Sequence, residues 1–153
     1  MKNAFTVDVE DWFCSHNLQD NIQFQQWHSL ESRVVMNTHR LLTLLRKYNV
    51  KATFFVLGWV AEKFPGLVRD IVSEQHEIAS HGYAHQRLTS MNEASFRSDL
   101  QLSIEHITSG AGIAPVGFRA PAFSVTKKTT WAWPILRESG MQYDSSVYPF
   151  SYH

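Results

Sequence analysis

Apolar and polar positions change period along the chain, from two to helical and back. Residues 3–9 alternate, with Phe5, Val7 and Val9 on one face and Thr6 and Asp8 on the other, which predicts a strand whose C-terminal end carries Asp8. Residues 10–30 have no clean period, and their Trp12, Phe13, Phe24 and Trp27 predict an ordered loop packed by aromatic rings. From 32 to 48, apolar residues at 34, 35, 41, 42, 45 and 48 share one helical stripe, with Asn49 placed to cap the end. Residues 51–57 are nearly all apolar, as in a strand covered on both faces.

Gly58 ends that strand. Two short helical pieces are expected next, the second opening at Pro65 with Leu67, Val68, Ile71 and Val72 inward. Ile78-Ala79 closes a third strand. Ser90 and Glu93 have capping-box spacing before a helix with Phe96, Leu100, Ile104 and Ile107 on one side. A fourth strand at 116–119, a helix over 129–139 that tolerates Pro134 near its start, and a fifth strand at 141–143 complete the pattern. Strands alternating with helices imply a parallel α/β sheet whose chemistry lies at the strands' C-terminal ends.

Composition narrows the class. A chain of 153 residues, 44% hydrophobic, makes one domain with a sizeable core, and 14 Lys+Arg against 14 Asp+Glu give no basic surface for nucleic acid. The longest apolar run, Phe54 to Leu57, is too short to span a bilayer, and residues 1–3 lead straight into a strand, so the expectation is a soluble, cytoplasmic protein. Cys14 is the one cysteine and reads as a small buried hydrophobe.

The candidate chemistry gathers at one sheet edge. His81 and His85 stand four apart after the third strand, and a single helical turn there would put both imidazoles on one face to close on an ion such as Zn²⁺. With 8 His in 153 residues, such a pair arises by chance about 0.4 times, so it needs partners. Asp8, Glu10 and Asp11 follow strand one, Arg119 closes strand four, and Asp144 follows strand five. Independent scatter does not place all of them at the end where α/β folds bind ligands.

Thr6-Val7-Asp8-Val9-Glu10-Asp11-Trp12, Ser80-His81-Gly82-Tyr83-Ala84-His85 and Gly117-Phe118-Arg119-Ala120-Pro121 resemble the first three motifs of NodB-homology polysaccharide deacetylases, carbohydrate esterase family four. Tyr143-Asp144-Ser145-Ser146-Val147-Tyr148-Pro149 is similar to the fourth. The resemblance runs over residues 1–153 and is nearest the subfamily associated with exopolysaccharide and exosortase gene clusters, which stretches 51–59 and 76–81 also resemble.

That resemblance implies an irregular (β/α) barrel, present here as about five βα units, and a divalent metal, with Zn²⁺ the favoured ion. It makes Asp8 the catalytic base, Arg119 the residue that orients it, and His81 and His85 metal ligands. The third ligand is a carboxylate after Asp8. The commoner pattern has two adjacent aspartates, whereas this chain offers Val9-Glu10-Asp11. Strand alternation points Glu10 the way of Asp8, and a chain turning after Val9 presents Asp11; the shorter side chain of Asp11 gives it a slight preference. Tyr83, Pro121, Asp144 and Tyr148 are expected to shape the sugar site, and a backbone N–H near Val147 or Tyr148 to complete an oxyanion hole.

The implied reaction removes N-acetyl groups from amino sugars of an N-acetylated polysaccharide. Such an amide needs a stronger nucleophile than neutral water and a sink for charge on the carbonyl, which an ion on two His and one carboxylate supplies. The resemblance assigns protonation of the departing amine to a histidine in a fifth motif, C-terminal to everything here. The chain is therefore expected to end short of the full domain, with weak or no activity alone and an open edge that favours self-association. The alternatives are a noncatalytic sugar- or metal-binding remnant and a hydrolase of a small cyclic amide.

Overall fold

The computed structural model describes residues 3–147. Strands β1 (Thr6–Val9), β2 (Thr53–Val56), β3 (Glu77–Ser80), β4 (Gly117–Phe118) and β5 (Tyr143–Asp144) form one parallel sheet in the order β1-β2-β3-β4-β5. Helices α1 (Val34–Lys47), α2 (Gly58–Lys63), α3 (Pro65–Ser73), α4 (Glu93–Ala111) and α5 (Ala132–Glu138) provide the crossovers. Among the described residues the sheet does not close, so the α/β fold is an incomplete barrel.

Register decides which side chains share a level. Asp8 pairs with Phe55 and Phe55 with Ala79, while Val7, Val9, Phe54, Val56 and Ile78 face the helices. There they pack with Val34, Leu42 and Leu45 of α1, Val60 of α2, and Leu67, Val68 and Ile71 of α3. A second cluster joins Phe118 to Phe96 and Leu100 of α4 and Ile135 and Leu136 of α5. Each large aliphatic or aromatic side chain so buried contributes about 1.5–3 kcal/mol. On the opposite face Phe55 is also buried, with the guanidinium of Arg119 4.0 Å from its ring centroid, so β2 is covered on both sides as its sequence implies.

Residues 10–30 are an ordered segment of 3₁₀ turns, Trp12–Cys14, His16–Leu18 and Phe24–Ser29, pinned by Phe13 and Trp27 against Trp59. Cys14 is buried there, and burial pushes its thiol pKa up.

Several local expectations change. Tyr48 caps α1 and is exposed rather than inward, because the helix ends at Lys47. The cap of α4 is Asn92 with Ser95, not Ser90 with Glu93: Asn92 Oδ1 accepts the Ser95 N–H at 2.9 Å and Ser95 Oγ accepts the Asn92 N–H at 3.0 Å. Ser90 instead ends the 3₁₀ turn Leu88–Ser90. Pro134 lies in the first turn of α5, where no intrahelical N–H is required. No helix among the described residues is long and apolar enough to cross a membrane.

Candidate metal centre

β1 and β3 deliver the site. β1 ends at Val9, and its alternation carries on one residue, turning Glu10 to the face of Asp8. β3 ends at Ser80 and hands His81 to an irregular loop, not to a helical turn. The loop bends through Gly82 at φ 75° and His85 at φ 54°. An L residue at Gly82 would be strained, and its Cβ would stand 3.0 Å from Asp99 Oδ2. The start of α2 holds the loop from one side, with Gly58 N–H donating to Gly82 O at 2.8 Å and Trp59 N–H to Tyr83 O at 3.1 Å. Gly58 is required there because a Cβ would lie 2.6 Å from Ser103 Cα.

The result brings Glu10, His81 and His85 together, with one ligand atom from each and all such atoms within 4.8 Å of one another. Glu10 Oε2 is 2.7 Å from His85 Nε2 and 4.0 Å from His81 Nε2. Two ligand atoms on one tetrahedral ion stand about 3.4 Å apart for bonds of ~2.1 Å, so the two separations bracket what one cation needs. Glu10 Oε2 is buried and, among the described residues, has no aligned hydrogen-bond donor despite its closeness to His85. Unpaired lone pairs that converge in this way suit a cation. His81 Nδ1 lies 2.8 Å from the carbonyl oxygen of Arg119, which can only accept, so the proton sits on Nδ1 and Nε2 offers its lone pair to the cluster.

Electrostatics agree with an acceptor set. Burial lowers the pKa of His81 and outweighs the opposing carboxylates of Asp8 and Glu10, keeping a neutral imidazole. Burial also acts to raise Glu10, but the contact with His85, with a smaller contribution from the neighbouring His81, overcomes it and holds the carboxyl below its ordinary value.

Asp11, given the slight preference over Glu10, points elsewhere. Its carboxylate receives Ser32 Oγ–H at 2.5 Å, Arg33 N–H at 2.9 Å, Val34 N–H at 3.2 Å and Trp12 N–H at 3.0 Å. It caps the start of α1 from a distance in sequence, and rotamer entropy was the wrong criterion: the orphan amides of α1 claim this carboxylate.

Asp8 and Arg119 meet across the curled sheet. Arg119 Nη1 donates to Asp8 Oδ1 at 2.7 Å, and Nη2 donates to Thr6 Oγ1 at 3.1 Å and Ser145 Oγ at 3.0 Å. Phe55 beneath and Phe123 at 5.7 Å face the guanidinium. Thr6 and Phe55, which lie in the resembling stretches but were given no role, hold Arg119, and Asp99, outside every such stretch, holds the loop between the histidines.

The remaining expected residues are dispersed. Tyr83 donates its hydroxyl to Glu62 at 2.6 Å, and its ring stands 6.1 Å from Phe24 and 5.8 Å from His106, which turns it toward α2 and α4. Pro121 is buried and opens a short 3₁₀ turn after Arg119. Asp144 accepts from Ser146 Oγ–H, and Ser146 Oγ in turn accepts the Ala120 N–H at 2.7 Å, tying β5 to the loop after β4. Tyr148 lies outside the described residues.

The family model for polysaccharide deacetylase matches residues 30–143. A peptidoglycan-N-acetylglucosamine deacetylase of Bacillus cereus is 43% identical over 84 residues, 55% of this chain and 30% of that protein. A peptidoglycan deacetylase of Helicobacter pylori is 34% identical over 108 residues, 71% of this chain and 36% of that one. The chain thus spans about a third of the length of these relatives. A crystal structure from Mycobacterium smegmatis, of a protein assigned to the polysaccharide deacetylases, superimposes with a TM-score of 0.72 at 36% identity, covering 94% of this chain and 50% of that one. With its parallel sheet, its clustered imidazoles and a family match over most of its length, the chain belongs to the polysaccharide deacetylase family.

Proposed function

We propose that this chain is a metal-dependent N-deacetylase, or the metal-binding part of one, acting on N-acetylated amino sugars of a polysaccharide. The observation that carries the reading is the convergence of Glu10, His81 and His85 beside the Asp8–Arg119 pair at the strands' C-terminal ends. Glu10 Oε2 and the two Nε2 atoms are the groups that would hold a divalent cation, with Zn²⁺ favoured by two imidazoles and one carboxylate. A cation there supplies Lewis acidity and lowers the pKa of water toward ~7.

The protein's own residues do the rest. Asp8 accepts a proton at Oδ2, the oxygen left over from the Arg119 bond, and Arg119 fixes its orientation. The carbonyl of Arg119 keeps His81 in the one tautomer that presents Nε2. Exopolysaccharide is the substrate context suggested by the resemblance of stretches 51–59 and 76–81.

The test is acetate release from a chitin oligosaccharide by the chain supplied with Zn²⁺. No described residue is assigned to protonating the amine, so release slower by about 10²–10⁴ than in an enzyme with its general acid is expected. It is to be lost on chelation and in Asp8→Asn. Release indifferent to chelation contradicts the reading, and none above the blank narrows it to the metal-binding part of such an enzyme.

A further inference from the structure

We propose that Asp99 is a positioning residue for the imidazole pair: its carboxylate fixes the loop that sets how His81 and His85 face Glu10. The inference rests on the metal-dependent reading above and concerns a residue on α4, outside the stretches that mark the site.

Asp99 Oδ2 accepts the Tyr83 N–H at 2.8 Å and Oδ1 accepts the Ala84 N–H at 3.2 Å. Those two residues lie midway between the histidines. Two consecutive amides aimed at one carboxylate form a small anion-binding concavity. One turn further along α4, Ser103 Oγ is 2.8 Å from Ser80 Oγ, and Ser80 Oγ accepts the Gly82 N–H at 3.2 Å. The amides of Gly82, Tyr83 and Ala84 are therefore all taken by α4, directly or through Ser80.

The carbonyls of Gly82 and Tyr83 are taken by α2. The loop is gripped on both edges, and it has to be, because His85 sits at φ 54°, a left-handed conformation that surrounding contacts must impose. His85 Nδ1 is buried without a hydrogen-bond partner among the described residues, so nothing holds that nitrogen as the Arg119 carbonyl holds Nδ1 of His81, and the ring's one polar contact, Nε2 with Glu10, lies on the side that faces the metal centre. Its orientation follows the backbone, which Asp99 holds at Tyr83 and Ala84 and which Gln19 Nε2 meets at the His85 carbonyl at 3.4 Å. An amide at 99 cannot substitute, since it offers one oxygen and turns an NH₂ toward the second N–H.

The experiment titrates Co²⁺ into the wild type, Asp99→Asn, Asp99→Ala, His81→Ala and, as a control on the exposed side of α4, Gln101→Ala, reading affinity and the visible absorption bands, with circular dichroism to select folded protein. Asp99→Asn and Asp99→Ala are expected to bind at least ~10-fold more weakly with shifted bands, and Gln101→Ala as the wild type does. Asp99→Asn, nearly isosteric, decides the matter if the alanine variant does not fold. A folded Asp99→Asn that melts lower yet keeps the wild-type affinity and spectrum has lost only fold stability and overturns the inference. If the wild type binds, His81→Ala does not and Asp99→Asn binds normally, this inference alone fails. No binding by the wild type overturns the metal reading and this inference together.

Discussion

The backbone carbonyl of Arg119 lies 2.8 Å from Nδ1 of His81, while the guanidinium of the same residue donates to Asp8 at 2.7 Å. One residue thus serves both halves of the site through chemically separate groups, and substitution can part them. Arg119→Lys leaves the carbonyl in place but loses the fork that spans Asp8, Thr6 and Ser145. Acetate release is expected to fall about 10²-fold while Zn²⁺ affinity stays nearly unchanged. Parallel measurement of the two checks it, and an equal loss of both counts against the division.

Glu10 and Asp11 are adjacent carboxylates that point to different places, Glu10 to His81 and His85 and Asp11 to the start of α1. Glu10→Gln is expected to weaken metal binding strongly and leave the metal-free protein's stability little altered. Asp11→Ala removes the acceptor for four donors at Trp12, Ser32, Arg33 and Val34 and is expected to destabilise by about 2 kcal/mol, with metal affinity of the folded protein retained. Urea unfolding of the metal-free variants and chelator competition separate the two effects.

These carboxylates also mark how far sequence reaches. Strand alternation offered Glu10 beside Asp8 as one of two alternatives, and β1 and α1 were legible from period and β2 and β3 from their apolar runs, because Val7, Val9, Phe54, Val56, Ile78 and one side of α1 pack in the core as those patterns require. The destination of Asp11 was not legible: its partners at Ser32, Arg33 and Val34 are 21 to 23 residues away, and nothing local shows that α1 lacks a cap of its own. The same holds for Asp99, which reaches Tyr83 and Ala84 across 16 and 15 residues. The helical turn expected for the histidine pair failed because Gly82 and His85 adopt positive φ, which i, i+4 spacing does not reveal.

Gly82 and Gly112 offer a matched comparison. Both have positive φ, 75° and 74°, but a Cβ on Gly112 meets nothing within 4 Å whereas one on Gly82 approaches Asp99. Gly82→Ala and Gly112→Ala are each expected to lose about 1–2 kcal/mol in urea unfolding for the left-handed backbone. Only Gly82→Ala is expected to weaken Zn²⁺ binding as well.

Acid should destabilise the metal-free protein in a set window. Burial, and then the charge of Lys51, lower His76 below its ordinary 6.5, and its Nδ1 accepts the Ala52 N–H at 3.2 Å. A depressed pKa means the unfolded chain binds the proton first, so this stability is present above pH 6.5 and is lost as pH falls toward the folded value. Buried His81 adds a contribution of the same sign. The urea midpoint is expected to fall as pH drops below about 6.5, less steeply in His76→Asn, which keeps an acceptor near Ala52. A midpoint that rises over this range contradicts the assignment.

The most direct measurement is anomalous diffraction from crystals grown with Zn²⁺. The expected result is one ion bonded to Nε2 of His81, Nε2 of His85 and a carboxylate oxygen of Glu10, with Asp11 still bound to the start of α1. An ion held through Asp11 instead, or no ion between the two imidazoles at saturating Zn²⁺, would contradict it.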